Sequence, residues 1–519
     1  MNIQNPYSRK RYSTKEKFQR RLSKLLIKSI NKIPALNEAG HLNRIKLSLN
    51  YDFSKSETVA PPDDVSLNLL SVNVSELIPI ENTLLLKKGF KKLLKKHKPK
   101  RILVANDATS IDRFCEKASS RLNPGTWFRL GLIEFNENLP IGKYVDHIDI
   151  YGMHLSSSLI MLHFNITPSD SYKRDLEELI KKDFKGKRIL KTKIMNPLKK
   201  ASIYTNSSVN TKKEYIDDLL VELKWRALNY INKFFPLYFH TNSVIAPSVE
   251  TYKVNELLCH LQRNSKDKKH NFFYRSVGLS RDDNLFHEIS KDGIWQLLFN
   301  EESGELHNPV KLLCNSYFQP NQYLANPVNH QIEIEAFENS IMILPILTIR
   351  KYLEFQTEQL AKYRNKIYKY IQNKRINYKK LLYLRIELGQ SIQILTRIKN
   401  EQKNRSYIFE QLNLTEMEPC PKFKNQPTWS EYIVDSTEKL ITDTYDHASG
   451  IVKILDDSIE ILDIKANFSM QKKSAWLTFS SLLVAVLSLL IAFISVYFTY
   501  VQLEKKPGHL FQIIETIFN

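Results

Sequence analysis

The chain has 519 residues, and 76 Lys and Arg against 55 Asp and Glu give it a net charge of +21. That length is enough for two or three folded units, and the charge points to an anionic partner. Only 13 glycines, where about 7% is usual, argue against an enzyme built on glycine-rich phosphate loops. Four cysteines without paired spacing (Cys115, Cys259, Cys314, Cys420) argue against a disulfide framework or a zinc knuckle and suit a reduced compartment.

The positive charge is uneven. Residues 1–101 hold 22 Lys or Arg against 8 Asp or Glu, which marks a basic N-terminal region with anionic lipid or nucleic acid as its partner. The first 35 residues lack the apolar core of a leader, so the body is expected to stay on the cytoplasmic side. Residues 15–33 place Phe18, Leu22, Leu25, Leu26, Ile30 and Ile33 on one helical face. Strand-like alternations follow at Leu42–Phe53 and Val65–Val74, separated by the Pro61-Pro62-Asp63-Asp64 turn. A second basic helix comes next. Nine of the fifteen residues from Lys87 to Arg101 are Lys or Arg, and the near-absence of Arg, Asn and aromatics suits diffuse electrostatics rather than base reading.

Residues 102–335 read as an α+β or α/β body. Arg101–Asn106 predicts a buried strand, Thr109–Leu122 a helix and Trp127–Phe135 a second strand, together a βαβ unit. Asp107, between such a strand and helix, stands where α/β sheets bind ligands, with Asp112 one turn further on. The competing reading of such aspartates is a helix cap. His147–Met153 and Ser158–Ile166 predict adjacent strands, and Pro168-Ser169 opens a helix over 170–184. Thr211 and Glu214 have capping-box spacing before a helix that buries Ile216, Leu220, Leu223, Ala227, Tyr230 and Phe234. Strand-like pieces near Asn271–Val277 and Ile294–Phe299 complete the body.

From about Phe337 the pattern becomes helical. Leu353, Leu360, Tyr363, Ile367, Tyr370, Leu381, Leu384, Leu388, Leu395 and Ile398 fall on a seven-residue repeat, interrupted at Gln356, Lys374, Asn377 and Ser391. A long stalk helix is expected over 337–417, with a proline-rich break at 418–427. A second stalk helix over 428–473 carries Ile441, Ala448, Ile451, Leu455 and Leu462. The two are expected to lie antiparallel, as a helical or coiled-coil stalk.

Residues 474–503 contain no charged side chain, and a tail of sixteen residues, 504–519, follows. Trp476–Tyr500 carries fourteen Leu, Ile, Val and Phe residues, and 25 helical residues reach roughly 37 Å, enough to cross a hydrocarbon layer of about 30 Å. Trp476 at one end, with Tyr497 and Tyr500 at the other, suits interfacial anchoring. The lysines that precede this stretch set the expected topology: single-pass in the cell (inner) membrane, with the N-terminal body cytoplasmic. Within it, Thr478, Ser481, Ala485, Ser488, Ala492, Ser495 and Thr499 recur at alternating spacings of 3 and 4. A stripe of small side chains lets helix backbones approach closely, predicting a homo-oligomer in the lipid bilayer. Its hydroxyls could line a pore, but a dry packing face is the commoner use.

A long stalk helix that runs into a membrane span below an α/β body resembles the CorA-type membrane proteins, over residues 337–503 and in layout only. The Gly-Met-Asn loop of that family is absent, since Val501-Gln502-Leu503-Glu504 stands there, and no second span follows. The resemblance therefore implies a body relaying its state down a stalk and does not imply magnesium selectivity. Membrane effectors of defence systems share the plan.

No catalytic motif is legible. His287-Glu288 begins an HExxH, but Lys291 occupies the last position. Glu222 and Lys224 have a nuclease-like spacing yet fall within a helix, where a solvated face is expected. His147, Asp149 and Tyr151 alternate on one strand, too few to hold a metal. The expected function is a sensing or interaction body coupled through a stalk to an oligomerising membrane helix. The alternative is a membrane-tethered enzyme or nucleic-acid-binding protein that uses its basic N-terminal region.

Overall fold

The computed structural model of the chain describes residues 60–61, 65–97, 108–119, 127–184, 187–191, 202–206, 208–255, 285–300, 309–316, 318, 328–372, 378–404, 417–420 and 427–503. The expected helix over 15–33, the strands at 42–53, 101–106 and 271–277, and Asp107 lie outside these residues. The described part divides into two compact units, residues 1–358 with 393–446, and residues 359–392 with 447–519.

The first unit is a mixed α/β body. Its strands are β1 (Leu67–Pro79), β2 (Trp127–Glu134), β3 (Val145–His154), β4 (Leu159–Pro168), β7 (Ser248–Val254), β8 (Leu285–Ser290), β9 (Trp295–Asn300), β10 (Val310–Asn315) and β11 (Met417–Pro419). They form one sheet in the order β11-β8-β9-β10-β7-β1-β4-β3-β2. β7 and β10 pair in parallel and the other neighbours are antiparallel. β5 (Lys187–Lys191) and β6 (Ser202–Asn206) form a separate hairpin-like pair. β2 runs antiparallel to β3, and the 101–106 strand expected to complete a βαβ unit with it lies outside the described residues. The connection from β2 to β3 is short, and short connections favour antiparallel neighbours.

Helices cover both faces of the sheet. On one side lie α1 (Thr83–Lys96), α2 (Ala108–Ser119), α3 (Asp170–Lys181), α4 (Ser208–Ile231) and the short α5 (Tyr238–Thr241). α2 packs its Phe114 on Gly152 of β3, where a Cβ would come within 2.6 Å of the ring. Ser169 caps α3 by accepting from the Tyr172 backbone N–H. α4 begins at Ser208, a turn before the expected capping box. Thr211 is thus an interior residue of the helix, fully buried, and no capping contact of its hydroxyl is found among the described residues. The other face of the sheet receives the first part of α6 (Val328–Gln372).

That second face is polar where a hydrophobic one is usual. Ser71, Asn73 and Ser75 on β1, His163 on β4 and Thr251 on β7 are all fully buried. Ser75 Oγ lies 2.5 Å from Thr348 Oγ1 of α6, and His163 Nε2 donates to Asn73 Oδ1 at 2.8 Å. Burial draws the His163 imidazole down to about 3, so it is neutral. Phe337 of α6 lays its ring against Tyr151 and His163, with centroids 4.1 and 4.9 Å away. Hydroxyl and amide pairs at this seam fix the seating of α6 more narrowly than an apolar surface would.

The second unit is helical, made of the end of α6, the start of α7 (Tyr378–Asn404) and much of α8 (Trp429–Leu503). The stalk helix expected over 337–417 is two helices, because α6 ends at Gln372 and α7 starts at Tyr378. The polar interruptions of the heptad pattern at Lys374 and Asn377 fall at this break. The Tyr363 hydroxyl bonds Glu387 and Lys380 Nζ lies 5.7 Å from the Tyr370 ring centroid, so α6 and α7 run antiparallel here. Arg385 Nε donates to Asp456 Oδ1 of α8 at 2.6 Å. Leu360, Ile367, Leu381, Leu384, Leu388, Ile451 and Leu455 are buried, while Leu462 is only half-buried. Beyond it α8 continues without cover.

Candidate functional site

Two features of the body stand out chemically, and a third belongs to α8. The first is a charged cluster beneath α4. Glu250 of β7 is fully buried, as is Lys224 of α4, and Lys311 of β10 is nearly so. Lys311 Nζ lies 2.9 Å from Glu250 Oε2 and Lys224 Nζ 3.6 Å from Oε1. Tyr252 donates its hydroxyl to Glu250 Oε2 at 3.1 Å, and Lys224 donates to Ser248 Oγ at 3.0 Å. Burial pulls the Lys224 ammonium down to about 8, opposed by the Glu250 charge. It pushes the neighbouring Asp217 carboxyl up to about 6. Perturbed groups of this kind often mark active sites, but the Glu250, Lys224 and Lys311 charges are closed off from solvent and satisfied by one another. The cluster welds α4 to β7 and β10.

Glu222 and Lys224 point different ways, as their spacing within a helix predicts, but the expected solvated face holds for Glu222 and not for Lys224. Glu222 is half-exposed and pairs with Arg226 at 2.6 Å. Lys224 points the opposite way, into the sheet, because the strongly buried Leu220, Leu223, Ala227 and Leu228 set the inner face of α4.

The second feature is the start of α8. Glu288 of β8 is buried, and its carboxyl accepts the backbone N–H of Trp429, the first residue of α8. Thr428 Oγ1 accepts from the Glu431 N–H at 3.2 Å while Glu431 Oε2 accepts from the Thr428 N–H at 2.8 Å. This reciprocal pair is a capping box. The Trp429 ring is fully buried, 6.0 Å from Phe299 of β9 by centroids. A carboxyl at a helix N-terminus meets both the free N–H groups and the positive end of the macrodipole. Desolvation nevertheless pushes Glu288 up to about 7, with the Trp429 N–H acting against it. His287, its neighbour on β8, is buried and placed against Gln296 of β9. The incomplete HExxH therefore lies on a strand, not on a zinc-binding helix.

The third feature is the apolar end of α8. The helix is long and apolar enough to cross a membrane, and none of that segment is buried. Trp476, Tyr497 and Tyr500 are exposed, as are the leucines and isoleucines between them. Thr478, Ser481, Ala485, Ser488, Ala492, Ser495 and Thr499 lie along one helix, with few side-chain neighbours. Thr478, Ser488 and Thr499 donate to the carbonyls of Ser474, Val484 and Ser495 at 2.7–2.9 Å. Ser481 donates to the Thr478 carbonyl at 2.8 Å. Four hydroxyls of the stripe are thus satisfied within the helix itself.

Of the expected ligand residues, Asp112 is held by lysines. Its carboxylate lies 2.8 Å from Lys91 Nζ and 3.0 Å from Lys87 Nζ, and these bonds keep it below the usual carboxylate range. On β3, Asp149 takes a two-pronged contact from Arg129 (2.8 and 3.1 Å) and a hydroxyl bond from Tyr151. His147 turns to Asp146 and Thr167. Among the described residues no group of three or more His, Cys, Asp or Glu side chains stands where it could hold a metal ion. No family model matches the chain, and no curated protein matches it.

Proposed function

We propose that this chain is a single-pass protein of the cell (inner) membrane, with its mixed α/β body in the cytoplasm. The body acts as a sensing or interaction domain and relays its state along α8 to an apolar segment that gathers copies of the chain in the bilayer. In layout this is the plan of a CorA-like channel or of a defence-type membrane effector. The observation that carries the reading is the continuity of α8 (Trp429–Leu503). The helix begins on Glu288 of the body and ends as an exposed apolar segment. In water that segment would be an aggregation hazard, since exposed apolar patches on soluble monomers rarely exceed a few hundred Å². Its hydroxyls, bonded to their own helix, are compatible with lipid.

The test is reconstitution of the full chain in liposomes, followed by alkaline extraction and cross-linking through Ser488→Cys. Retention in the bilayer with cross-linked oligomers supports the proposal. Release into the wash as monomers sinks it. A second reading, a membrane-tethered enzyme or nucleic-acid binder, draws on the exposed lysines of α1. Salt-sensitive nucleic-acid binding with turnover would favour it.

A further inference from the structure

We infer that α1 is a second membrane contact of the body, a lipid-docking face that recognises anionic headgroups. The chemistry is written on one side of the helix. Leu86, Gly89, Phe90, Leu93 and Leu94 face inward and are buried. The outward arc carries Leu84 and Leu85, 70% and 52% exposed, followed by the exposed Lys88, Lys92 and Lys95. α1 spans fourteen residues, or about 21 Å, and contains no acid. Of the two acids of α2, Asp112 is engaged by Lys87 and Lys91, and Glu116 acts on Lys87. Lys88, Lys92 and Lys95 keep no ion-pair partner among the described residues. Lys96 rests over the Tyr230 and Phe234 rings at 5.4 and 5.6 Å.

The two leucines decide between anionic partners. A polyanion such as DNA rewards the lysines alone, and its readers usually add Arg, Asn and aromatic side chains. Exposed leucines beside a lysine row suit an interfacial helix, which sinks its apolar residues to the acyl boundary while the lysines stay at the headgroups. Gly89 makes the face rigid: a Cβ there would meet the Phe234 carbonyl oxygen at 2.2 Å, so α1 lies flush on the segment after α4. The inference draws on the membrane reading above only in placing a bilayer within reach.

The test uses the full chain with Leu85→Cys carrying an environment-sensitive fluorophore, reconstituted in phosphatidylcholine vesicles with or without phosphatidylglycerol. Wild-type chain labelled the same way sets the background from native cysteines. The expected result is a blue shift only with phosphatidylglycerol, reversed by high salt. A Lys88→Gln/Lys92→Gln/Lys95→Gln variant should weaken the contact by on the order of a hundredfold, at about 1 kcal/mol per lysine. Leu84→Ser should reduce the shift while leaving its salt dependence in place. Identical emission in both vesicle types overturns the inference. So does a shift produced by duplex DNA on neutral vesicles and not by phosphatidylglycerol. Alkaline extraction of the same samples reads the span separately: an extractable protein that still shifts sinks the span and keeps the α1 contact, while a retained protein that never shifts does the reverse.

Discussion

Lys311 of β10 and Glu250 of β7 stand side by side on parallel neighbours, Nζ 2.9 Å from Oε2, with both side chains shut away from water. Glu250 also serves Lys224 and the Tyr252 hydroxyl, so the carboxylate is the hub. Removing one member of a buried pair costs about 3–5 kcal/mol, because the partner charge is left stranded. Glu250→Gln strands two ammonium groups, whereas Lys311→Met leaves Glu250 with Lys224. Urea denaturation followed by tryptophan fluorescence should therefore rank Glu250→Gln as the more damaging change. Equal losses would mean that the two lysines do not share the carboxylate.

Glu288 predicts a pH dependence. Its proton is held up to about pH 7 in the folded chain but only to about 4.3 in an unfolded one. Between those values the folded state binds more protons, so stability falls as pH rises. The Glu288 contribution is complete below the unfolded value and gone above about pH 7, with a slope of about 1 kcal/mol per pH unit at most. Glu288→Gln cannot titrate. The denaturation midpoint of wild type should fall relative to that of Glu288→Gln from pH 5 to pH 7 and then level off. A constant difference would show that Glu288 is ionised throughout.

Two glycines predict opposite signs for one substitution. Ala is better than Gly in a helix by about 1 kcal/mol. At Gly450 of α8 nothing lies within 4 Å of an added Cβ, so Gly450→Ala should stabilise by about that amount. At Gly89 the Cβ would press into the Phe234 backbone at 2.2 Å, and overpacking of this kind costs about 1–3 kcal/mol. Gly89→Ala should lower the melting temperature and Gly450→Ala should raise it. A gain at both positions would mean that α1 can lift off Phe234 without penalty.

The apolar helix was legible because it needs only composition and length, and the strands at β1, β3 and β4 because alternation or an apolar run marks them locally. Lys224 reads as solvated from the sequence because its partner Glu250 is remote in the chain and reaches it only through the sheet order. The polar face at Ser71, Asn73 and Ser75 was hidden for a similar reason: alternation shows that a strand has two faces, not that a helix will cover both. The stalk reads as one long helix because no proline stands between Arg350 and Met417, although Lys374 and Asn377 interrupt the heptad pattern between the end of α6 and the start of α7. The capping box at Thr428 and Glu431 has its own local signal, the Thr-Trp-Ser-Glu spacing. The Asp107 candidate falls outside the described residues, and Asp112 is occupied by Lys87 and Lys91.

The small-residue stripe of α8 yields a prediction that separates close packing from hydrogen bonding. Ser488 already donates to the Val484 carbonyl at 2.8 Å, and Thr499 to the Ser495 carbonyl at 2.7 Å. If copies associate along this stripe, the hydroxyls bring few new bonds. What they supply is small volume, which lets backbones come close and gain dispersion contacts. Ser488→Ala should then leave oligomers in detergent intact, whereas Ser488→Leu and Ser495→Leu should dissociate them by pushing the helices apart. Any liposome conductance should fall with the same two leucine variants. Dissociation by Ser488→Ala would show that the hydroxyls turn from their own helix and bond across the interface. Oligomers that survive both leucine variants would place the association on another face.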